Sequence, residues 1–353
     1  MLALFKDTEA PLTDHSLWMR EKWRDLLDKG VLPDQSRLEH LWRKEFPETP
    51  LPDFTWAHFM SRLWPLERAK EVREIFCHSP HLTEAVGDQV DALENKLDAI
   101  DWNLWVETLA VRLKADFNYT HPCHSAHLHF MGLEWRVTLL HTSLQTQDFH
   151  KVFFRQISAK VRPLQAFGIS DPALLESLML NHENILIAGS TGSGKTTLMS
   201  TLLSMVPEKE HVVMLEDTQE LHSTHPRLTR LISTQKEGRS LKDYLAHTLR
   251  LSPDRIILGE MRSHEVVPYL LAMNTGHKGL LSTLHASSAM DALLRVAQLF
   301  TLASGQKEMN YQEVLKLVCR NVGYVVFMEK RRVTQIIKVF GSEGDQPLFD
   351  QIM

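Results

Sequence analysis

Residues 185–205 carry the feature that most restricts how this chain folds. Four apolar residues, Ile185-Leu186-Ile187-Ala188, run directly into Gly189-Ser190-Thr191-Gly192-Ser193-Gly194-Lys195-Thr196, with Thr197 next. A helix-forming stretch then extends from Thr196 to Met205 and is closed by Pro207. In a strand–loop–helix of this kind the glycines let backbone N–H groups turn inward around an oxyanion, and the helix N-terminus adds partial positive charge. Lys195 is then expected to reach the β- and γ-phosphates of ATP, and the Thr196 hydroxyl to hold Mg²⁺. Residues Gly189, Ser190, Thr191, Gly192, Ser193, Gly194, Lys195, Thr196 and Thr197 are therefore the candidate nucleotide-binding set.

Such a loop sits on a parallel sheet, and the sequence around it has that pattern. Short apolar runs alternate with helical stretches: Ile185 to Ala188, Val212 to Leu215, Ile256 to Leu258 and Leu280-Leu281. Parallel strands covered by helices on both faces read this way. Ligands in these sheets bind beyond the carboxyl ends of the strands. Val212 to Leu215 is followed there by Glu216-Asp217-Thr218-Gln219-Glu220. Glu216 or Asp217 is a candidate to hold Mg²⁺ through water, and a helix cap is the structural alternative. Ile256 to Leu258 is followed by Gly259-Glu260-Met261-Arg262. Glu260 is the candidate to orient or deprotonate an attacking water, with a surface pair to Arg262 as the alternative. His285 lies just past the last run and is a candidate γ-phosphate sensor; His277 precedes that run.

The first half of the chain differs in composition. All eight tryptophans of the 353 residues lie at or before Trp135. Residues 16–29, 36–45 and 54–64 have helical spacing of apolar side chains, which predicts a small helical bundle with a tryptophan core, or else a docking surface. Residues 102–114 predict another helix. Residues 124–131 and 135–141 predict strands of a hairpin around Gly132-Leu133-Glu134. His127 and His129 fall on one face of the first strand, with solvent-facing histidines as the default and a zinc site as the alternative. The expected division is a helical extension over 1–68, an α+β domain over 69–158, a linker over 159–170 and a nucleotide-binding domain over 171–353.

Bulk properties exclude several function classes. The net charge of −5 and the lack of a basic tail give no reason to expect nucleic acid as a partner. Cys77, Cys123 and Cys319 are too few and too scattered for a disulfide framework or a four-cysteine metal module. No basic segment followed by an apolar run opens the chain, so no signal peptide is expected. No run approaches ~20 apolar residues, so membrane association is expected only through partners.

The four blocks, in this order and spacing, resemble the type II/type IV secretion traffic ATPases. The corresponding family elements are the Walker A loop (Gly189 to Thr196), the Asp box (Glu216 to Leu221), the Walker B segment (Ile256 to Glu260) and the His box (Thr275 to His285). Ala272-Met273-Asn274-Thr275-Gly276-His277 is most similar to type IV secretion and tight-adherence pilus motors. The resemblance implies a RecA-like P-loop domain after an α+β domain, and catalytic roles for Glu260, Glu216 and His285. It also implies that Arg136 and Arg155, from the segments 132–137 and 153–157, help bind the γ-phosphate. It further implies a homo-hexamer on the cytoplasmic face of the inner membrane. That hexamer would engage a platform protein there and hydrolyse ATP with Mg²⁺ to drive pilus assembly or export. A nucleotide-gated platform with little turnover is the alternative.

Overall fold

The computed structural model describes residues 14–353 except 69–70, 88, 94–96, 158–160, 235–237 and 306–308. The first 13 residues of the expected helical extension and the start of the expected linker thus lie outside the described residues. The chain forms two compact units, one ending at Ile157 and one beginning at Ser158.

The first unit opens with four helices: α1 (Asp14–Asp28), α2 (Gln35–Glu45), α3 (Thr55–Met60) and α4 (Trp64–Arg68). Asp34 caps α2 by accepting from the Arg37 N–H at 2.9 Å. The third predicted helix, 54–64, is split: Pro65 lies in the first turn of α4, where a missing N–H costs nothing. A six-stranded antiparallel sheet follows, with β1 (Glu74–Ser79), β2 (Leu82–Val86), β3 (Val90–Leu93), β4 (Cys123–Phe130), β5 (Leu133–Leu140) and β6 (Lys151–Ile157) in the order β3-β2-β1-β6-β5-β4. Helix α5 (Ala99–Arg112) covers its apolar face. Trp135, Val137 and Leu139 alternate into that core, while Glu134, Arg136 and Thr138 face outward. The hairpin turn is Met131-Gly132, both with positive φ, which is the two-residue geometry that suits the twist of paired strands.

Helices and sheet share a single core. Trp18, Trp23, Trp42, Trp64, Trp102, Trp105 and Trp135 are all buried in it. Trp23 Nε1 donates to Thr108 Oγ1 on α5 at 2.8 Å, and Trp105 Nε1 donates to the Arg62 carbonyl at 3.0 Å. These seven tryptophans are core residues and not a docking surface, although the indole N–H groups of Trp18, Trp42, Trp64 and Trp135 are buried without a hydrogen-bond partner among the described residues.

The second unit is an eight-stranded sheet between two helical layers. Its elements are α6 (Ala173–Leu180), β7 (Ile185–Gly189), α7 (Lys195–Leu203), β8 (Val212–Glu216), β9 (Leu228–Ile232), α8 (Leu241–Thr248), β10 (Arg255–Leu258), α9 (Val266–Asn274), β11 (Leu281–Leu284), α10 (Ala289–Ser304), α11 (Tyr311–Asn321), β12 (Tyr324–Glu329), β13 (Arg332–Glu343) and β14 (Gln346–Gln351). The order is β14-β13-β12-β7-β11-β10-β8-β9. Strands from β9 to β12 in that order are parallel, and β13 and β14 add on antiparallel. Helices α8 to α11 cover one face, and α6, α7 and the turn 164–167 cover the other. Central strand β7 is buried throughout, which is why its residues are an unbroken apolar run. This is the mostly parallel α/β domain expected, after an α+β unit.

Candidate nucleotide-binding site

The site is assembled at the carboxyl ends of four parallel strands. The phosphate loop leaves β7, Asp217 follows β8, Glu260 follows β10 and His285 follows β11.

Two glycines explain the loop. Gly189 pairs with Met328 of β12, and a Cβ on it would lie 2.3 Å from the Met328 carbonyl oxygen. Its φ of +152° is also outside the range of other residues. Gly194, at φ +97°, directs the chain into α7, so Lys195 is the first helical residue. Lys195 is buried, and its Nζ donates to the carbonyls of Gly189 at 2.9 Å and Ser190 at 2.8 Å. Ser193 Oγ is buried with no hydrogen-bond partner among the described residues. A glycine cradle, a buried ammonium and an unpaired buried hydroxyl together fit a polyphosphate.

The carboxylates divide into two groups. Glu260 Oε1 accepts from His285 Nε2 at 3.0 Å, and Glu260 Oε2 accepts from Arg262 Nη2 at 2.5 Å. His285 Nδ1 in turn lies 3.5 Å from Lys195 Nζ. A donor on one side and an acceptor on the other identify the neutral Nε2–H tautomer. Burial, then the Lys195 charge, hold the imidazole below its ordinary value of 6.5, while Glu260 pulls the other way. Arg262 extends the cluster: its Nη1 lies 3.8 Å from Asp217 Oδ2, and Ser233 Oγ donates to Asp217 Oδ1 at 2.6 Å. The hydrogen bond to Glu260 raises the guanidinium above its already high value.

Glu216 stands apart. Its side chain is 3% exposed. Oε1 accepts from the backbone N–H groups of Glu220 at 2.8 Å and Leu221 at 2.7 Å, and Oε2 pairs with Arg230 Nη1 at 3.2 Å. Burial raises its carboxyl pKa, and those N–H groups and Arg230 oppose the rise. Successive residues at a strand end point to opposite sides, so Glu216 turns into the protein and Asp217 toward the surface. Glu216 therefore fixes the segment after β8. Gly259 belongs to the same arrangement, since a Cβ on it would lie 3.1 Å from Glu216 Cγ.

His277 is at the amino end of β11, where it lines a shallow surface cavity with His182, Asp254 and Lys278. Arg136 and Arg155 belong to the first unit. They are direct cross-strand neighbours on its outward face, and Arg155 Nε is 3.7 Å from Glu74 Oε1. His127 and His129 both pair with Glu134, at 2.5 and 2.7 Å. Among the described residues, no group of three or more His, Cys, Asp or Glu side chains is arranged to hold a metal ion. Thr196, half-buried in the first turn of α7, and exposed Asp217 offer the hydroxyl and carboxylate oxygens that suit Mg²⁺. The sequence reading did not single out Arg262 as a partner of Asp217, or Ser233 at all; both contacts depend on β8 lying beside β9 and β10.

The family described as Type II/IV secretion system protein matches residues 131–337. The type IV secretion system protein VirB11 of Bartonella quintana is 35% identical over 163 residues, 44% of this chain and 46% of that one. The type IV secretion system protein PtlH of Bordetella pertussis is 39% identical over 155 residues, 42% of this chain and 45% of that one. The chain thus spans about half the length of the relatives it matches. The Legionella pneumophila ATPase DotB has the same fold, with a TM-score of 0.60 at 17% identity over 83% of this chain and 79% of that one. So does the pilus retraction motor PilT with bound ADP, with a TM-score of 0.56 at 16% identity over 79% of this chain and 78% of that one. The matched segment covers more than half of the sequence and holds every residue of the site built above, so the chain belongs to the type II/IV secretion system protein family.

Proposed function

We propose that this protein binds ATP at the phosphate loop and hydrolyses it, and that it works as a hexameric motor of a type IV secretion or pilus-assembly apparatus. The observation that carries this reading is the convergence of Lys195, His285 and Glu260 at the ends of three adjacent parallel strands. Lys195 gives up its loop carbonyls to meet the β- and γ-phosphates. Glu260, held by two neighbours, orients the attacking water and takes its proton. His285 bridges the two, so it responds to charge at either. Mg²⁺, when bound, neutralises charge on the β- and γ-phosphates. Thr196 and Asp217 are the residues that would hold it. A guanidinium on the γ-phosphate favours ATP over ADP, and that part is proposed for Arg136 and Arg155. The apparatus is expected at the cytoplasmic face of an inner membrane, with a platform protein as partner. Among the described residues no helix is long and apolar enough to cross a membrane.

The test is nucleotide affinity with ATP and ADP, with and without Mg²⁺, in wild type and Lys195→Ala, with light scattering of the ATP-bound protein. Tight binding lost in Lys195→Ala, and a mass of six chains, support the reading. Equal affinity in both proteins, or a monomer with full turnover, contradicts it.

A further inference from the structure

From the contacts of its side chain we infer that Arg262 is a positioning residue that sets the orientation of Glu260 and ties it to the segment after β8. This rests on the hydrolase reading above. Glu260 has two carboxylate oxygens. His285 takes one and Arg262 the other, at 3.0 and 2.5 Å, so the plane of the carboxylate is defined by two different elements. The second arm of the guanidinium faces Asp217 at 3.8 Å. Asp217 is itself oriented by Ser233 Oγ at 2.6 Å, and the Ser233 N–H donates to the Glu216 carbonyl at 2.8 Å. Strands β8, β9 and β10 are neighbours in the sheet. Arg262 therefore links the loop after β10 to the ends of β8 and β9, and it does so through the one group proposed to act on water.

A role in folding is a poor explanation of this side chain. Arg262 is 55% exposed, as is 48% of Asp217, and ion pairs at such exposure contribute little to stability. The turn that carries Arg262 is held without it. The backbone N–H groups of both Arg262 and Ser263 donate to Glu265 Oε1, and Met261 N donates to the Thr283 carbonyl at 2.9 Å. Replacing the guanidinium leaves those bonds in place. What is lost is the second anchor on Glu260, which then pivots about its contact with His285. A planar fork reaches two carboxylates at once, whereas an ammonium is a single point charge. Lysine at 262 is thus expected to hold one carboxylate and not both.

The experiment measures kcat and KM for ATP, together with thermal unfolding, in Arg262→Gln, Arg262→Lys, Asp217→Asn, the Arg262→Gln/Asp217→Asn double variant and Glu260→Gln. The expected result for Arg262→Gln is a fall in kcat of about tenfold or more from misplacement of the base, with KM and melting temperature close to wild type. Arg262→Lys should recover part of the loss. Relative to wild type, the double variant should be slower by less than the product of the two single effects, because the two residues share one linkage. Wild-type kcat in Arg262→Gln, a loss confined to KM, a loss that follows a lower melting temperature, or strictly multiplicative single effects would each overturn the inference. Glu260→Gln separates the two levels. If it turns over normally, the hydrolase reading fails and this inference with it. If it is slow while Arg262→Gln is normal, only this inference fails.

Discussion

His285 and Glu260 share a hydrogen bond of 3.0 Å, and the other ring nitrogen of His285 lies 3.5 Å from Lys195. One imidazole thus joins the cation of the phosphate loop to the carboxylate after β10. Its tautomer is set by the two neighbours, since an ammonium donates to Nδ1 and a carboxylate accepts from Nε2.

This arrangement predicts signed shifts in the titration of His285. Lys195 lowers its pKa and Glu260 raises it. Lys195→Met should move the imidazole pKa up toward its ordinary value, and Glu260→Gln should move it further down. Nitrogen-15 NMR of histidine-labelled protein reads both. A pKa that falls in Lys195→Met would contradict the placement. The linkage sign also follows. A histidine whose folded pKa is depressed favours the folded state fully at pH above 6.5. That contribution fades as pH falls through the folded value.

Glu216 is predicted to be a stability residue. Glu216→Ala leaves two backbone N–H groups and Arg230 without their acceptor. The expected cost is about 3 kcal/mol in urea unfolding, and less for Glu216→Gln, which keeps one carbonyl acceptor. A Glu216→Ala protein as stable as wild type would show that those contacts contribute nothing.

Gly189 is predicted to reject any side chain. A Cβ there meets the Met328 carbonyl at 2.3 Å, inside the β7–β12 pairing. Gly189→Ala should lower stability by about 1–3 kcal/mol and weaken nucleotide binding as β12 moves aside. Gly192, by contrast, has nothing within 4 Å of its Cβ position, so Gly192→Ala meets backbone strain alone and should unfold less readily than Gly189→Ala. Equal melting temperatures for the two variants would contradict the assignment.

Trp23 tests whether the first helices belong to the sheet behind them. It is fully buried and donates to Thr108 on α5. Trp23→Ala should cost about 3–5 kcal/mol and lower the unfolding midpoint of the whole first unit, not of α1 alone. Hydrogen exchange in β5 and β6 that is unchanged by the substitution would mean that α1 is an independent appendage.

Much of the second unit was legible because its strands end in residues that carry chemistry. Runs such as Ile185 to Ala188 and Ile256 to Leu258 are buried on both faces, so they are continuous and apolar, and each leads into a glycine and a functional side chain. Strands β12 to β14 went unread for the opposite reason. Tyr324 to Met328 is equally apolar but ends in an ordinary turn, and β13 and β14 pair antiparallel at the sheet edge. The hairpin of the first unit was visible, but its turn is Met131-Gly132, one step earlier than Gly132 to Glu134. Local sequence did not reveal the positive φ of Met131. Glu216 and Asp217 were equivalent in sequence because both follow the apolar run Val212 to Leu215. Only the strand geometry decides which of them turns inward. The Arg262–Asp217 contact depends on two strands more than 35 residues apart in sequence being neighbours, and no spacing rule within one segment reports that.

The most direct measurement is phosphate release by the purified full chain with ATP and Mg²⁺, comparing wild type with Glu260→Gln at matched nucleotide occupancy. The account predicts that Glu260→Gln binds ATP as wild type does and releases phosphate about a hundredfold more slowly, as loss of a positioned base should. Equal rates at equal occupancy would contradict it.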